Sequence, residues 1–239
     1  MVDKAEKHLS MSTDNKIYTT LCVLFSVLIV IGNLMYQKFI ALNIFSLYTF
    51  ELSVAAILYP LTLLLTDLIT EFYGKEKSKF CVKLAITISI IVAIIIILVD
   101  NLNATTWSKV DNKIFHLVFG NYKVSFLAST IACYISQLVD IKIYLWIKNL
   151  THNRFLWLRS NISTAISILV HTSVAVSILF TFGILPLERV TLVAASNYFF
   201  KFFFNIFSTP IFYLAVWIIK AIKENHSLLR MVKNSERIK

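Results

Sequence analysis

Two acidic side chains lie one helical turn apart near the end of the apolar stretch 58–74. Asp67 and Glu71 have the i,i+4 spacing that places both carboxylates on one face of a helix, with Thr70 beside them. Like charges at this spacing destabilise a helix by about 0.2–0.5 kcal/mol, and a helix C-terminus disfavours anions further. The pair therefore indicates compensation by a cationic or hydrogen-bond-donating ligand, by a basic side chain from elsewhere, or by a proton. The structural alternative is a hydrated pair at the membrane edge, followed by a helix stop at Gly74.

Other polar side chains interrupt apolar stretches that are long enough to cross a bilayer. An ionisable group at mid-bilayer costs at least about 2.5 kcal/mol, which makes each such residue a candidate for function. Gln137 and Asp140 have i,i+3 spacing, share one helix face, and fall in the same half of the membrane as the first pair. The remaining candidates are isolated from one another in the sequence: Glu51, His171 and Lys201.

Each of these residues also has a structural alternative. Asp140 could form an ion pair with Lys201 or with a loop arginine, and so only lock the bundle. Lys201 could also extend its ammonium group toward the membrane surface. His171 has no neighbouring metal ligands, so a structural hydrogen bond is favoured over metal binding, and a ligand or proton-relay role stays open. The hydroxyl residues that share its helix face, Ser160 and Ser167 among them, suit close helix packing.

The composition places these residues in a membrane protein. Hydrophobic residues make up 58% of the 239 residues, against about 45–50% in soluble domains, and the mean hydropathy is +0.75. The net charge of +10 comes from basic residues between apolar runs, which the positive-inside rule explains without nucleic acid as a partner. Five scattered histidines and three cysteines within apolar segments predict no metal site, disulfide or cofactor. The sequence lacks the common motifs of enzymes, so we expect no enzymatic activity.

The apolar runs predict an all-α integral membrane protein, a bundle of six transmembrane helices. Their approximate bounds are 17–35, 44–73, 80–99, 124–147, 160–182 and 192–219. Polar tails at 1–16 and 220–239 flank this single transmembrane domain, which covers 17–219. We expect Pro60 to kink the second helix and to open a cavity at that level, and we expect a basic loop before the third helix.

The distribution of basic residues predicts the orientation of this bundle. With six crossings, 17 of the 23 Lys and Arg residues lie on the side of both termini. Five lie on the opposite side, and Lys201 lies inside the sixth helix. Because cytoplasmic loops carry the excess of positive charge, both termini are expected in the cytoplasm.

Two six-residue segments on neighbouring helices resemble each other. They read Ser-Gln-Leu-Val-Asp-Ile at 136–141 and Ser-Ile-Leu-Val-His-Thr at 167–172. The fourth and fifth helices that carry them are antiparallel, as in the inverted repeats that transporters often contain, but three identities in six positions are too few to establish a repeat.

An ordered series of motifs resembles the queuosine-precursor transporter family, also called the vitamin-uptake-transporter family. The family hallmark, a proline followed by Thr-Asp and then by Glu-x-Tyr-Gly, is matched at 60–74. Further matches follow the family order within about residues 20–220: Asn33 and Lys38, Ser136-Gln137-x-x-Asp140, Leu156-Trp-Leu-Arg159, Asn161-x-Ser-Thr164, and Lys201 followed by Thr209-Pro210. One position departs from the pattern. Where the family usually repeats Ser-Gln-x-x-Asp-Thr, this chain has Ile168 and His171, which bears on substrate identity or on proton coupling there.

The resemblance implies uptake of a 7-deazaguanine base: queuine, or its cyano or aminomethyl precursor. Import across the bacterial inner membrane would be gradient-driven or facilitated. A carboxylate can accept two N–H bonds from the guanine-like edge, and a glutamine can pair with the remaining donor and acceptor. The expected site residues are Asp67, Glu71, Gln137 and Asp140 on the substrate, Asn33 and His171 in the lining, Lys201 beside an acid, and Tyr73, Phe72 or Tyr134 stacked on the base.

Three other classes of protein remain as alternatives. A substrate-binding membrane subunit would need an ATP-driven partner, because no ATP-hydrolysing domain is expected in this chain. A structural or assembly protein would use its polar residues only for helix packing. An intramembrane enzyme is disfavoured because no nucleophile–base pair is apparent. The expected partners are the small-molecule substrate and the lipid bilayer, and the sequence leaves the oligomeric state open, a homo-oligomer included.

Overall fold

The computed structural model describes residues 13–35, 38–44, 48–120 and 123–236. In these ranges the chain forms six helices and one two-stranded hairpin. In chain order the elements are α1 (Thr13–Met35), β1 (Phe39–Ile44), β2 (Tyr48–Ser53), α2 (Ala55–Asp100), α3 (Asn112–Phe119), α4 (Lys123–Leu150), α5 (Leu156–Thr181) and α6 (Leu187–Glu236). Five of the six helices are long and apolar enough to cross a membrane, the exception being the eight-residue α3. The predicted class, a helical integral membrane protein, is therefore confirmed.

Gly74 divides α2 into two segments. Its φ of 76° lies in the left-handed region that glycine adopts without steric cost, and the rest of α2 keeps helical φ and ψ. The segment after Gly74 runs alongside α1 in the same direction, since the Tyr18 hydroxyl donates to the Lys77 carbonyl and Asn33 donates to Ser89. The segment before Gly74 runs parallel to α4 instead. We name these antiparallel segments α2a (55–73) and α2b (75–100), and they raise the number of long apolar segments to the predicted six.

Strands β1 and β2 form an antiparallel pair, the hairpin, where the second transmembrane helix was predicted to begin. β1 and β2 pair antiparallel along their whole length, starting from the Phe39–Ser53 pair. Both strands are rich in β-branched, aromatic and other large apolar residues that suit an extended backbone, and hydropathy alone does not distinguish them from helix. The helix itself begins at Ala55, so the predicted start near 44 is wrong and Glu51 belongs to β2.

Several other predicted bounds differ from the structure. The expected basic loop at 75–79 is helical, because Gly74 alone turns the chain. The residue of α2 with non-helical φ and ψ is Gly74. Pro60, where a kink was expected, lies in the second turn of α2a with helical φ and ψ. The sixth helix continues to Glu236, through most of the predicted basic tail.

The two ends of the bundle are distinguished by the elements that lie there. The beginning of α1 meets α6 through an ion pair of 2.9 Å between Asp14 and Lys223, near Gly74, and we call this the tail end. The hairpin lies at the opposite end of the bundle, which we call the hairpin end. Both ends of the described chain therefore lie at the same end of the bundle, as six crossings require. The assignment of the tail end to the cytoplasmic side stays a prediction from the charge asymmetry.

The described helices pack their polar and small residues inward and expose apolar side chains outward. The main contacts join α4 to α5, α1 to α2, α2 to α4, and α5 to α6. Along α2b, Ile91, Ile95 and Leu98 are each at least half exposed, so this side of the segment faces away from the bundle. The inside of the bundle is consequently rich in polar groups, and this is where the candidate site lies.

Candidate functional site

A cavity lies between α1, α2a, α4, α5 and α6, in the half of the bundle toward the hairpin end. Its interior leaves about 60 Å³ for the centres of water-sized spheres. Apolar side chains form much of its wall. Its main polar lining residues are Asn33, Tyr59, Thr62, Ser129, His171, Thr172, Asn197 and Lys201.

Tyr59 stands at the centre of this lining. Its hydroxyl forms a hydrogen bond of 2.7 Å with Ser136 on α4. Its ring centroid lies 4.1 Å from that of His171 on α5, and Lys201 Nζ on α6 lies 4.7 Å from the same centroid. A cation over an aromatic face is attracted by the ring quadrupole. Tyr59 therefore forms an aromatic platform that contacts three other helices.

A second polar layer lies next to the cavity, one to two helical turns toward the tail end. It consists of Asp67, Gln137 and Asp140, and we call it the acid layer. No member is more than 1% exposed. The carboxyl groups of Asp67 and Asp140 lie close enough for electrostatic interaction. Ser160 donates a hydrogen bond to Asp67, and Ser167 donates one of 3.0 Å to Asp140.

Each member of the acid layer keeps one oxygen without a hydrogen-bond partner in the described part of the chain. These atoms are Asp67 Oδ1, Gln137 Oε1 and Asp140 Oδ2. Leaving a buried acceptor unpaired costs roughly 1–3 kcal/mol, so three together are unusual in a folded protein. Gln137 Nε2 donates to Thr62 at 3.3 Å, which connects the layer to the cavity wall. The layer is thus equipped to accept hydrogen bonds from a ligand with several N–H donors.

The two similar segments on α4 and α5 face each other in antiparallel orientation. Ser167, at the start of the second segment, bonds to Asp140 near the end of the first. Ser136, at the start of the first, bonds to Tyr59, whose ring packs on His171 near the end of the second. This antiparallel packing places the unusual His171 at the cavity rather than in the acid layer.

Glu71 lies in a different environment, between the acid layer and the tail end. Arg159 Nη2 is 2.6 Å from its Oε1, while Lys148 Nζ is 3.1 Å from its Oε2. The Tyr144 hydroxyl donates to the same Oε2 at 3.0 Å and accepts from Arg159 Nε at 3.2 Å. We call these four residues the charge cluster. Because both carboxylate oxygens are engaged by protein groups, Glu71 ties α2a to α4 and α5 in this structure.

The other predicted site residues fall into two places. Asn33, His171 and Lys201 line the cavity. Asn33 also joins three segments, since its amide donates to Ser89 on α2b at 2.8 Å and its carbonyl accepts from α4. Tyr73 lies at the tail end, where its hydroxyl donates to the backbone of α1 at 3.0 Å, away from the cavity. The aromatic ring that lines the cavity is that of Tyr59 rather than those proposed from the sequence.

Lys201 forms no ion pair with any acid whose side chain the structure describes, and Asp140 is bonded to Ser167. The side chain of Glu51 lies outside what the structure describes, so an acid partner for Lys201 stays a prediction. Among the described residues no group of three or more His, Cys, Asp or Glu residues could hold a metal ion.

Two contacts to the site were missed by sequence reasoning. Tyr59 was not assigned a role, although it directly precedes Pro60 within the hallmark stretch. Ser160 and Ser167 were interpreted as packing residues, yet their hydroxyls bond to the two acids. Their spacing of seven residues, two helical turns on one face, was the available signal.

The comparison with known proteins concerns the same part of the chain. A family model described as "Putative vitamin uptake transporter" matches residues 53–215, which include the acid layer, the charge cluster and most of the cavity wall. No curated protein and no solved structure matches the chain. The family match covers more than half of the sequence and agrees with five long apolar helices in the structure. The chain therefore belongs to the vitamin uptake transporter family, whose members are membrane transporters of small molecules and not enzymes.

Proposed function

We propose that this protein imports a 7-deazaguanine base, namely queuine or its cyano or aminomethyl precursor, across the bacterial inner membrane. Transport would be gradient-driven or facilitated, with both termini in the cytoplasm and no cofactor. Beyond the family, the observation that carries the proposal is the set of three unpaired acceptor oxygens in the acid layer.

The chemistry of a guanine-like base suits these acceptors. Its ring N–H and exocyclic amino group are adjacent donors that one carboxylate accepts as a bidentate pair. Asp67 and Asp140 would share this edge, and Gln137 Oε1 would accept a further N–H. Two carboxylates this close repel each other unless a proton or donor groups lie between them, so ligand binding also relieves that repulsion. A base without these donors would leave the acceptors unpaired and would be rejected.

The positions of the cavity and the charge cluster support a transport path through the bundle. The cavity lies toward the hairpin end, and the charge cluster closes the bundle on the tail-end side of the acid layer. With the termini in the cytoplasm, this form is closed to the cytoplasm. Import would then require Arg159 and Lys148 to separate from Glu71, and only that opening would let Glu71 contact substrate.

The test is uptake of radiolabelled queuine and its two precursors into cells that lack their own transporter. We expect saturable uptake of at least one base by the wild type. Asp140→Asn should lower this uptake by about tenfold to a hundredfold, because a hydrogen bond to a charged group contributes about 1.5–3 kcal/mol.

Asp100→Asn is the matched control. It makes the same chemical change at the end of α2b, where Asp100 contacts His116 outside the cavity. Its uptake should stay near the wild-type level at equal membrane abundance. No uptake of any of the three bases, despite confirmed insertion, would overturn the substrate assignment. Uptake by cells but not by vesicles that hold the purified chain alone would favour an ATP-driven partner.

A further inference from the structure

Lys201 is the one lysine, arginine or acid in the described lining of the cavity. Its side chain is 5% exposed, and it forms no ion pair with any acid whose side chain the structure describes. Its ammonium group lies over the Tyr59 ring and close enough to His171 for electrostatic interaction. The cavity therefore holds a positive charge that no described acidic side chain neutralises.

Such a charge is costly inside a membrane protein. An ionisable group inside a bilayer is costly, and a cation–π contact offsets only part of that cost. Two further cavity-lining atoms, His171 Nδ1 and Thr172 Oγ1, are buried without a partner in the described part of the chain. An ammonium group can only donate hydrogen bonds, and a hydroxyl can do so. This wall consequently offers an ammonium group and a hydroxyl that can donate to a ligand and that have no hydrogen-bond acceptor in the described part of the chain.

The wall and the acid layer thus have opposite character. The acid layer offers carboxylates and acceptors, while the wall around Lys201 offers a cation and donors. On α5, Ser167 bonds to the acid layer and His171 lies four residues later at the cavity, so the two are about one helical turn, ~6 Å, apart. A bicyclic base is wide enough to contact both.

We infer that Lys201 forms an acceptor-binding subsite that selects a substrate with a neutral, electron-rich group beside its carbonyl oxygen, and against one with a cationic amine there. The inference rests on the proposed function. In a 7-deazaguanine the 6-carbonyl oxygen and the 7-substituent lie on the same side of the base. A nitrile at position 7 presents a second acceptor to Lys201, whereas an aminomethyl group presents a second cation and is repelled.

The test is equilibrium binding of the cyano and the aminomethyl base to the purified full-length chain in lipid nanodiscs. The wild type should bind the cyano base at least tenfold more tightly. Lys201→Met, which keeps the length of the side chain and removes its charge, should lower this ratio at least tenfold. Lys201→Arg, which keeps the charge, should retain the preference.

His171→Asp provides a second route that leaves Lys201 in place. The new carboxylate lies within electrostatic reach of the ammonium group and should shift the preference toward the aminomethyl base, as Lys201→Met does. This variant decides the question if Lys201→Met does not fold.

The outcomes separate this inference from the function on which it rests. Wild-type binding of both bases with a ratio that neither variant changes would overturn the subsite while leaving the deazaguanine assignment intact. A wild-type preference for the aminomethyl base would likewise overturn it, because the amine would then lie in the acid layer. Binding of neither base would overturn the function and the subsite together.

Discussion

The charge cluster and the acid layer are neighbours on the same helices, yet their polar atoms are satisfied to different degrees. The carboxylate of Glu71 receives Arg159, Lys148 and Tyr144, and one nitrogen of Arg159, Nη1, is the cluster atom left unpaired. In the acid layer, Asp67 and Asp140 each receive one serine hydroxyl and each keep one oxygen unpaired. Burial alone does not explain this difference, because the acid layer is the more deeply buried of the two.

The difference separates two uses of a charged group inside a membrane. A network with nearly all its partners present holds helices in one arrangement, and removing a partner leaves a buried charge uncompensated. A layer with vacant acceptors lowers stability in the absence of ligand and stabilises the complex when the donors arrive. We expect substitutions in the charge cluster to change folding first, and substitutions in the acid layer to change transport first.

The largest effect on stability should come from Arg159→Met. This substitution leaves the carboxylate of Glu71 with fewer cationic partners and should lower the free energy of unfolding by about 3–5 kcal/mol, the usual cost of breaking a buried pair. The measurement is denaturant unfolding of the purified chain in detergent. The double variant Glu71→Gln/Arg159→Met should regain part of the loss, since it removes both charges.

Lys223→Met is the control for that experiment. It breaks the Asp14–Lys223 pair, whose side chains are 59% and 27% exposed, so the loss should be about 1 kcal/mol or less. If Arg159→Met costs no more than Lys223→Met, the charge cluster does not lock the fold.

The next effect concerns transport rather than folding. Asp67→Asn should lower uptake by about tenfold to a hundredfold, because a neutral amide oxygen accepts an N–H bond more weakly than a carboxylate oxygen does. Its free energy of unfolding should stay equal or rise, since the repulsion between two neighbouring carboxyl groups disappears. Glu71→Gln makes the same change in the charge cluster and should give the reverse ranking, a clear loss of stability. Equal stability losses for the two amide variants would remove the distinction between the regions.

The sequence predicted the parts of this molecule that depend on local pattern. Long apolar runs identified the helical membrane class, and Gly74 marked the turn between α2a and α2b because only its backbone accepts a φ of 76° without strain. The i,i+3 spacing of Gln137 and Asp140 placed them on one face, as the acid layer requires. The hairpin at 39–53 was missed because a short apolar strand and a helical segment have the same hydropathy.

The different roles of Asp67 and Glu71 could not be predicted from local pattern. Asp67 and Glu71 look alike in sequence. They differ in the structure because Arg159 from α5 and Lys148 from α4 form ion pairs with Glu71. The position of Lys201 beside Tyr59 also depends on the packing of α6 against α2a, which leaves no periodic signal. Long-range contacts, rather than residue types, decide which charge is satisfied.

The smallest predicted effects form a matched pair of tyrosine substitutions. Tyr144→Phe and Tyr59→Phe each remove one phenolic hydroxyl, the first from the charge cluster and the second from the cavity wall. Tyr144→Phe should lower the free energy of unfolding by about 1 kcal/mol, because its hydroxyl bonds to both Glu71 and Arg159. Tyr59→Phe loses only the bond to Ser136 and should cost about 0.6 kcal/mol or less, a typical value for a hydrogen bond between membrane helices.

For uptake, measured at equal membrane abundance, the ranking of the two tyrosine variants should reverse, with Tyr59→Phe the more affected. Tyr59→Phe keeps the ring under Lys201 but removes the phenolic hydroxyl that fixes Ser136 beside the acid layer, so the concentration for half-maximal uptake should rise a few fold. Tyr144→Phe should leave that concentration unchanged while it lowers the amount of folded protein. A Tyr59→Phe variant that loses more stability than Tyr144→Phe and transports normally would show that the cavity wall, too, serves only to hold the helices together.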